Sequence, residues 1–432
     1  MSRAAAALAA KREETEMRLA GLTLPGGGAW ATEARLGAMA RLREMGLPNR
    51  RDEYWRYTDP KLLVDEAAPE AAVFDPKETP LFEGIERLKI VFVDGVFDAD
   101  ASDSLDEEAI EITLLSEAAG RDIHWAKSLY GVLEARGQTP VARPLAALNS
   151  AMATDGVLIR VTGRVTRPVS IIYRHDQTNS DVCLHNLVQI EKGGDFTLLE
   201  NGPAAARFNK VLEVDVADGA AFHHVRAQGR DHERHAVTHI FARLGCESLF
   251  KSFTLTVNGA LTRNEAVIEL TSDDAVAHVA GAAVGDGKFH HDDTVFITHE
   301  GERCESRQVF KKVLRNGATG VFQGKILVKA GAQKTDGYQI SQALLLDGDS
   351  QFLAKPELEI YADDVICSHG STSGAIDDEA LFYLRSRGVP VSEAQDLLVL
   401  AFLAEAIDEI EDETIAADIL ERLQAWLARR SG

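Results

Sequence analysis

Cysteine is scarce in this sequence. Cys183, Cys246, Cys304 and Cys367 are scattered, with no Cys-x-x-Cys pair among them. That excludes a disulfide framework and a zinc knuckle and suits a reducing compartment. Long apolar runs are missing too: no uncharged stretch reaches the roughly 18 residues of a spanning helix, so no membrane span is expected. Met1-Ser2-Arg3 leads into an Ala-rich run broken by Lys11, Arg12, Glu13 and Glu14, with no apolar core before a cleavage site. No secretory signal is expected, and a cytoplasmic location is. Positive charge is also short. Against 68 acidic residues stand 46 Lys and Arg, a formal net charge of −22. This argues against nucleic acid or an anionic membrane as the main partner, because phosphate surfaces demand clustered cations.

What is present is a long stretch of strands. Of the 432 residues, 45% are hydrophobic, enough for a large core and two or three structural units. From about Val157 to Asp364, apolar–polar alternations rich in β-branched residues recur: Val157–Val161, Lys210–Val216, Phe253–Val257 and Val267–Leu270. Period two is the strand signal. Turn sequences punctuate it at Gly193-Gly194-Asp195, Asp218-Gly219-Ala220, Asn258-Gly259-Ala260, Asp273-Asp274-Ala275, Asn316-Gly317-Ala318, Gly331-Ala332 and Asp347-Gly348-Asp349. Their spacing clusters near about 14 residues or twice that, which favours stacked coils sharing one core. A β-helix (solenoid) is the first reading of this mainly β chain, a large β-sandwich the second.

The flanks read differently. Residues 2–20 and 31–45 are helix-forming, separated by Leu24-Pro25-Gly26-Gly27-Gly28. Arg50 to Thr58 holds Tyr54, Trp55 and Tyr57 among charges; an aromatic lid fixing the helical arm to the body is expected over a ligand-stacking site. Leu88 to Phe97 reads as a hairpin around Asp94-Gly95. Residues 125–153 read as mostly helical, and Asp155-Gly156 turns the chain into the first coil. The coils are expected to run to about Cys367. Beyond Gly374 the pattern is helical: Asp377 caps a first helix ending at Gly388, and Ser392 with Gln395 reads as a capping box for the next. Leu397, Leu398, Leu400, Ala401, Leu403, Ala404 and Ile407 read as one apolar face, and Glu405, Asp408, Glu409, Glu411, Asp412 and Glu413 as a solvated acidic one. The expected division is a helical and mixed unit (1–155), the β-helix core (156–370) and a C-terminal helical unit (371–432).

Several chemical motifs almost form. Gly331-Ala332-Gln333-Lys334-Thr335 lacks the glycines of a phosphate loop. Gly370-Ser371-Thr372-Ser373-Gly374 resembles a nucleophile elbow but has Thr372 where Ser belongs and no α/β context. Histidines cluster at His223, His224, His232, His235 and His239, then His290, His291 and His299. His223 and His224 must face opposite sides of a strand, whereas His235 and His239 share one. Surface or turn positions are the plainer reading, a metal-binding solenoid the sharper one. Asp273, Asp274, Asp292 and Asp293 are candidates for a β-helix carbohydrate-active enzyme, though they read as turn residues. Cys367 and His369, two apart, share a face if extended; thiolate and imidazole together suit iron or zinc, but two ligands do not complete a site.

At these residues the chain resembles a known family. Lys355-Pro356-Glu357-Leu358-Glu359-Ile360-Tyr361-Ala362-Asp363-Asp364-Val365, followed by Cys367-Ser368-His369-Gly370, is similar to the closing motif of the SufD branch of the SufB/SufD family. These are the non-ATPase scaffolds of the SUF iron–sulfur cluster assembly system. Glu379 to Gly388 is similar to the family's C-terminal signature and Arg50 to Thr58 to its N-terminal one. Ala147-Leu148-Asn149 with Asp155-Gly156 looks like its approach to the core. The resemblance implies a right-handed parallel β-helix with helical N- and C-terminal domains and no enzymatic activity of its own. It implies a complex with the paralogue SufB, paired through β-helix ends, and with the ATPase SufC, held on the C-terminal helices; here that contact would fall on Phe382, Tyr383, Leu384 and Arg387. The sequence leaves open a homodimer without SufB. It further implies a transient iron–sulfur cluster shared with SufB, His369 contributing and Cys367 less firmly, with flavin in the assembled complex only. Ser371, Thr372 and Ser373 depart from the small apolar residues common there.

Overall fold

The computed structural model describes residues 3–73, 80–229 and 233–428. Among them the chain forms a parallel β-solenoid of about seven turns, flanked by helices at both ends of the sequence. Arg207 pairs in register with His235, His235 with Leu261, Leu261 with His290, and His290 with Thr319. Each coil therefore takes roughly 28 residues, two strands and two turns, which explains a turn signal at half that spacing. Turn pairs such as Asn316-Gly317 lie at positive φ (56° and 82°), a region that Asn and Gly enter at least cost. The hairpin at Asp94-Gly95 also forms, Val93 pairing with Val96.

Two sheets result. The first runs from Ile366–Gly374 at one end through Glu305–Arg315 and Leu249–Val257 to Leu88–Val93 and Val96–Asp98; the second runs from Gln351–Ile360 through His290–His299 and Arg207–Val216 to Ile110–Leu114. Alternate residues face the lumen between them: Phe208, Leu212, Val214 and Val216 join Phe196, Leu198 and Phe222 in one core. The outward faces are covered as well, so central strands are buried on both sides and read as nearly continuous apolar runs.

The N-terminal helices Arg3–Leu19, Ala29–Met45 and Pro144–Met152 cover the second sheet. Leu42, Trp55, Leu145 and Leu148 pack with Val237 and Leu261. Asn149 Nδ2 donates to the carbonyls of Leu184 and Asn209, stitching helix to coil at 3.1 and 2.8 Å. Residues 125–153 are less helical than their composition suggests, with short helical pieces at Trp125–Ser128 and Val132–Arg136 before the helix Pro144–Met152. The expected aromatic lid is present. Trp55 is buried, with the Arg263 guanidinium 4.1 Å from its ring, and Tyr54 meets Phe296 edge-on.

The C-terminal helices Val391–Ile407 and Glu413–Ala428 cover the first sheet, and here three expectations fail. The buried stripe is Ala394, Val399, Leu403, Ala406 and Ile407, while Leu397 is 45% exposed; the sheet, not the broadest apolar arc, chose the face. Pro390 takes the N-cap position with no side-chain cap, so Ser392 and Gln395 form no capping box. The acidic block is no free solvated face. Glu409 meets His278 (2.9 Å) and Arg307 (3.2 Å), Glu411 meets Lys251 (2.9 Å), and Glu405 pairs with Lys311. Outward-facing cations of the first sheet thus recruit the carboxylates of these helices and the turn between them. Asp377 does cap the helix Asp378–Ser386, accepting from the amides of Glu379 and Ala380.

Candidate functional site at the last coil

Gln351–Ile360 and Ile366–Gly374 are the terminal strands of the two sheets, each paired on one side only. The coil continues through Gly374, beyond Cys367, so the sequence resembling an elbow lies within a strand. No residue of either strand is fully buried, whereas interior strands are buried almost throughout. Ile366 is 73% exposed and Tyr361 61%. Two unpaired parallel edges with exposed apolar side chains form a template for another strand.

The strand phase places Cys367 and His369 toward the lumen at this mouth. Cys367 pairs with Gly337, where a Cβ would come within 3.2 Å of the thiol. It packs with Ile326, Val328, Ala332 and Ala362. Burial pushes its thiol up, so the neutral form is favoured here. His369 pairs with the buried Gln339 and is itself exposed. Among the hydroxylic residues that follow, Ser371 Oγ meets Ser341 Oγ at 3.1 Å. The N-terminal arm reaches this coil as well: Lys355 bonds Glu53 at 2.6 Å and lies 3.9 Å from the Tyr54 ring, whose hydroxyl donates to Glu357.

A second exposed surface follows the last strand. The helix Asp378–Ser386 buries none of its residues, leaving Phe382 72% and Tyr383 55% exposed, with Leu384 half-buried. Arg387 stacks on Tyr383 at 3.4 Å. Beneath this helix lies a cavity of about 530 Å³, whose lining includes Leu381, Asp396, Val399 and Trp426.

The remaining candidates lie elsewhere in the fold. His224, His235, His239, His291 and His299 are buried, not surface or turn residues; His232 lies outside the described residues. Asp292 and Asp293 sit in the strand His290–His299, not in a turn. Asp292 is held by Arg263 and Thr58, Asp293 by Lys312 and His291. Asp273 and Asp274 do occupy a turn and pair with Arg303. Among the described residues no three His, Cys, Asp or Glu side chains converge as a metal cage. The lumen also holds a buried ionic cluster that the sequence pattern did not bring out. Glu200 accepts from Lys210, Tyr173 (2.8 Å) and His224 (3.1 Å), with Arg226 4.0 Å away. The signal was available: Lys210 shares the parity of Phe208 and Leu212, so it had to point inward with them.

Comparison with known proteins agrees with this architecture. The description "SUF system FeS cluster assembly, SufBD core domain" matches residues 173–402, more than half of the chain. The Escherichia coli iron-sulfur cluster assembly protein SufD is 27% identical over 403 residues, covering 89% of this chain and 90% of that protein. A SufBD family protein of Synechocystis is 27% identical over 405 residues, covering 87% and 86%. The SufD of Bacillus subtilis is 28% identical over 291 residues, covering 65% and 66%. With its solenoid, its helical flanks and this match, the chain belongs to the SufBD family of SUF iron–sulfur cluster assembly proteins.

Proposed function

We propose that this chain is a non-ATPase scaffold subunit that builds a nascent iron–sulfur cluster jointly with SufB, across the open mouth of its solenoid. The observation that supports the reading most is the last coil, where both sheets end in unpaired edges around His369 and Cys367. His369 is the ligand this chain supplies, and Cys367, its thiol held neutral by burial, the lesser one. The cluster is cargo, completed by SufB side chains, since two ligands leave iron open. Flavin belongs to the assembled complex in this reading. Pairing through the last coil extends both sheets into a continuous solenoid; without SufB, two copies pair at the same edges as a homodimer.

The C-terminal unit is the dock for SufC, with Phe382, Tyr383, Leu384 and Arg387 as its contact face. An aromatic pair with an arginine stacked on it is the composition of an interface anchor. ATP hydrolysis is then the partner's task. The units 1–155, 156–370 and 371–432 serve as arm, body and dock, in the cytoplasm; among the described residues no helix is long and apolar enough to cross a membrane.

Co-expression with SufB and SufC tests this, comparing wild type with His369→Ala and Phe382→Asp by size exclusion and by iron and sulfide content. His369→Ala is expected to keep the complex and lose most of the cluster, and Phe382→Asp to lose SufC. A His369→Ala complex with full iron and sulfide would sink the ligand assignment.

A further inference from the structure

Behind His369 lies a column of two glutamines. Gln308, Gln339 and His369 occupy the same position on three successive strands of the first sheet, Gln308 pairing with Gln339 and Gln339 with His369. In-register neighbours on parallel strands stand about 4.8 Å apart with side chains on the same face. Both glutamines are fully buried. Gln339 Nε2 donates to Gln308 Oε1 at 2.9 Å, on the side away from His369. Its Oε1 is buried and has no hydrogen-bond partner. Across the lumen Gly324 leaves the space this carboxamide uses: a Cβ there would come within 2.3 Å of Gln339 Nε2 and 2.7 Å of its Cδ.

A buried acceptor without a donor is costly, and such groups in folded proteins have a reason. The in-register neighbour on the mouth side, His369, carries a ring N–H able to supply one. A neutral imidazole carries one N–H and one lone pair, and a histidine that binds metal donates its N–H to a fixed acceptor.

We propose that Gln339 is a positioning residue: its carboxamide oxygen accepts the ring N–H of His369, fixing the tautomer and turning the other nitrogen's lone pair toward the mouth. The tautomer lock stands on this chain alone; its use in cluster assembly rests on the ligand role proposed above for His369. Gln308 anchors the carboxamide from below, and Gly324 gives it room. Losing such a second partner typically lowers metal affinity about 10–100-fold.

The test uses the full chain labelled with 15N-histidine, the His369 ring signals identified by their disappearance in His369→Ala. At pH 8 the wild type should show one N–H nitrogen and one lone-pair nitrogen at His369. Gln339→Leu, similar in size, should average the two nitrogens toward a tautomer mixture, and Gly324→Ala, which displaces the carboxamide from the opposite sheet, should do the same. Gln339→Glu keeps an acceptor and should restore the lock. An unchanged His369 spectrum in Gln339→Leu overturns the proposal, whatever the cluster content. In the co-expressed complex, Gln339→Leu should lower iron and sulfide toward the His369→Ala level. Full iron in His369→Ala would instead refute the ligand role, and the ring spectra would still decide the tautomer lock.

Discussion

Replacing Glu200 by leucine removes the carboxylate that Lys210, Arg226 and His224 surround inside the solenoid. Glu200 and Lys210 are both completely buried. Burial by itself would raise the Glu200 carboxyl, but Lys210, His224 and Arg226 together hold it well below the usual range. On Lys210 burial wins: its ammonium is pushed down to about 8, against the pull of Glu200. The two directions are consistent, because one carboxylate is shared among several cations. Breaking a buried pair by removing one partner costs about 3–5 kcal/mol. Glu200→Leu should sit at the upper end, since Lys210 and Arg226 both lose their counter-charge. Lys210→Met should cost less, because Glu200 keeps His224, Arg226 and the Tyr173 hydroxyl. In the double variant the unpaired charge left by each single change is partly cancelled, so the cycle should show a coupling of about 2–3 kcal/mol. Urea unfolding followed by the strand circular dichroism of all four proteins measures it. Additivity to within about 0.5 kcal/mol would refute the cluster as a unit and reduce both effects to lost packing.

Two further outcomes follow from the same interior. Burial pushes His239 and His299 down to about 4, so both stay neutral in the folded protein while the unfolded chain titrates near its ordinary 6.5. The unfolded state then binds more protons between these values, and stability present above pH 6.5 is lost as pH falls toward 4, about 2 kcal/mol per histidine by pH 5. His299→Gln should lose correspondingly less between pH 7 and 5; an acid loss equal to wild type would exclude His299 as a contributor. Trp55→Ala empties a buried site under Arg263 and should cost about 3–5 kcal/mol. Hydrogen exchange should then rise first in the helices Arg3–Leu19 and Ala29–Met45, and a uniform rise over the solenoid would contradict the arm's role as a separate layer.

The solenoid was legible because its information is local and repeated. Alternation sets which side chains face the lumen, Asn-Gly and Asp-Gly pairs set the turns, and the distance between them sets half a coil. The pairing of Cys367 and His369 on one face followed from the same parity, as did the cap at Asp377 from its own local sequence. The lid of Tyr54 and Trp55 was legible in kind from its aromatic composition, though not in its target Arg263, which lies far along the chain.

What local pattern left open was decided by what lies across a sheet. Parity predicts that Asp292 and Asp293 oppose each other, yet only the packed arm, the neighbouring strand and the opposite sheet supply Thr58, Arg263 and Lys312, turning apparent turn carboxylates into buried ion pairs. The helix Val391–Ile407 has apolar residues all round, so its own sequence could not choose a face; the first sheet chose Val399 and Leu403 and left Leu397 outside. The acidic turn became a clasp because His278, Arg307 and Lys251, more than a hundred residues earlier in the chain, point outward beneath it. Gln339 carries no signal at all in one dimension. Its meaning arises from register, which sets it beside His369, and from Gly324 across the lumen. Sequence alone thus determined the repeat, its parity and its family, since each is written in neighbouring residues. The tertiary structure decided which buried charges are paired and which end of the solenoid stays open, because both depend on partners brought together only when the coils stack.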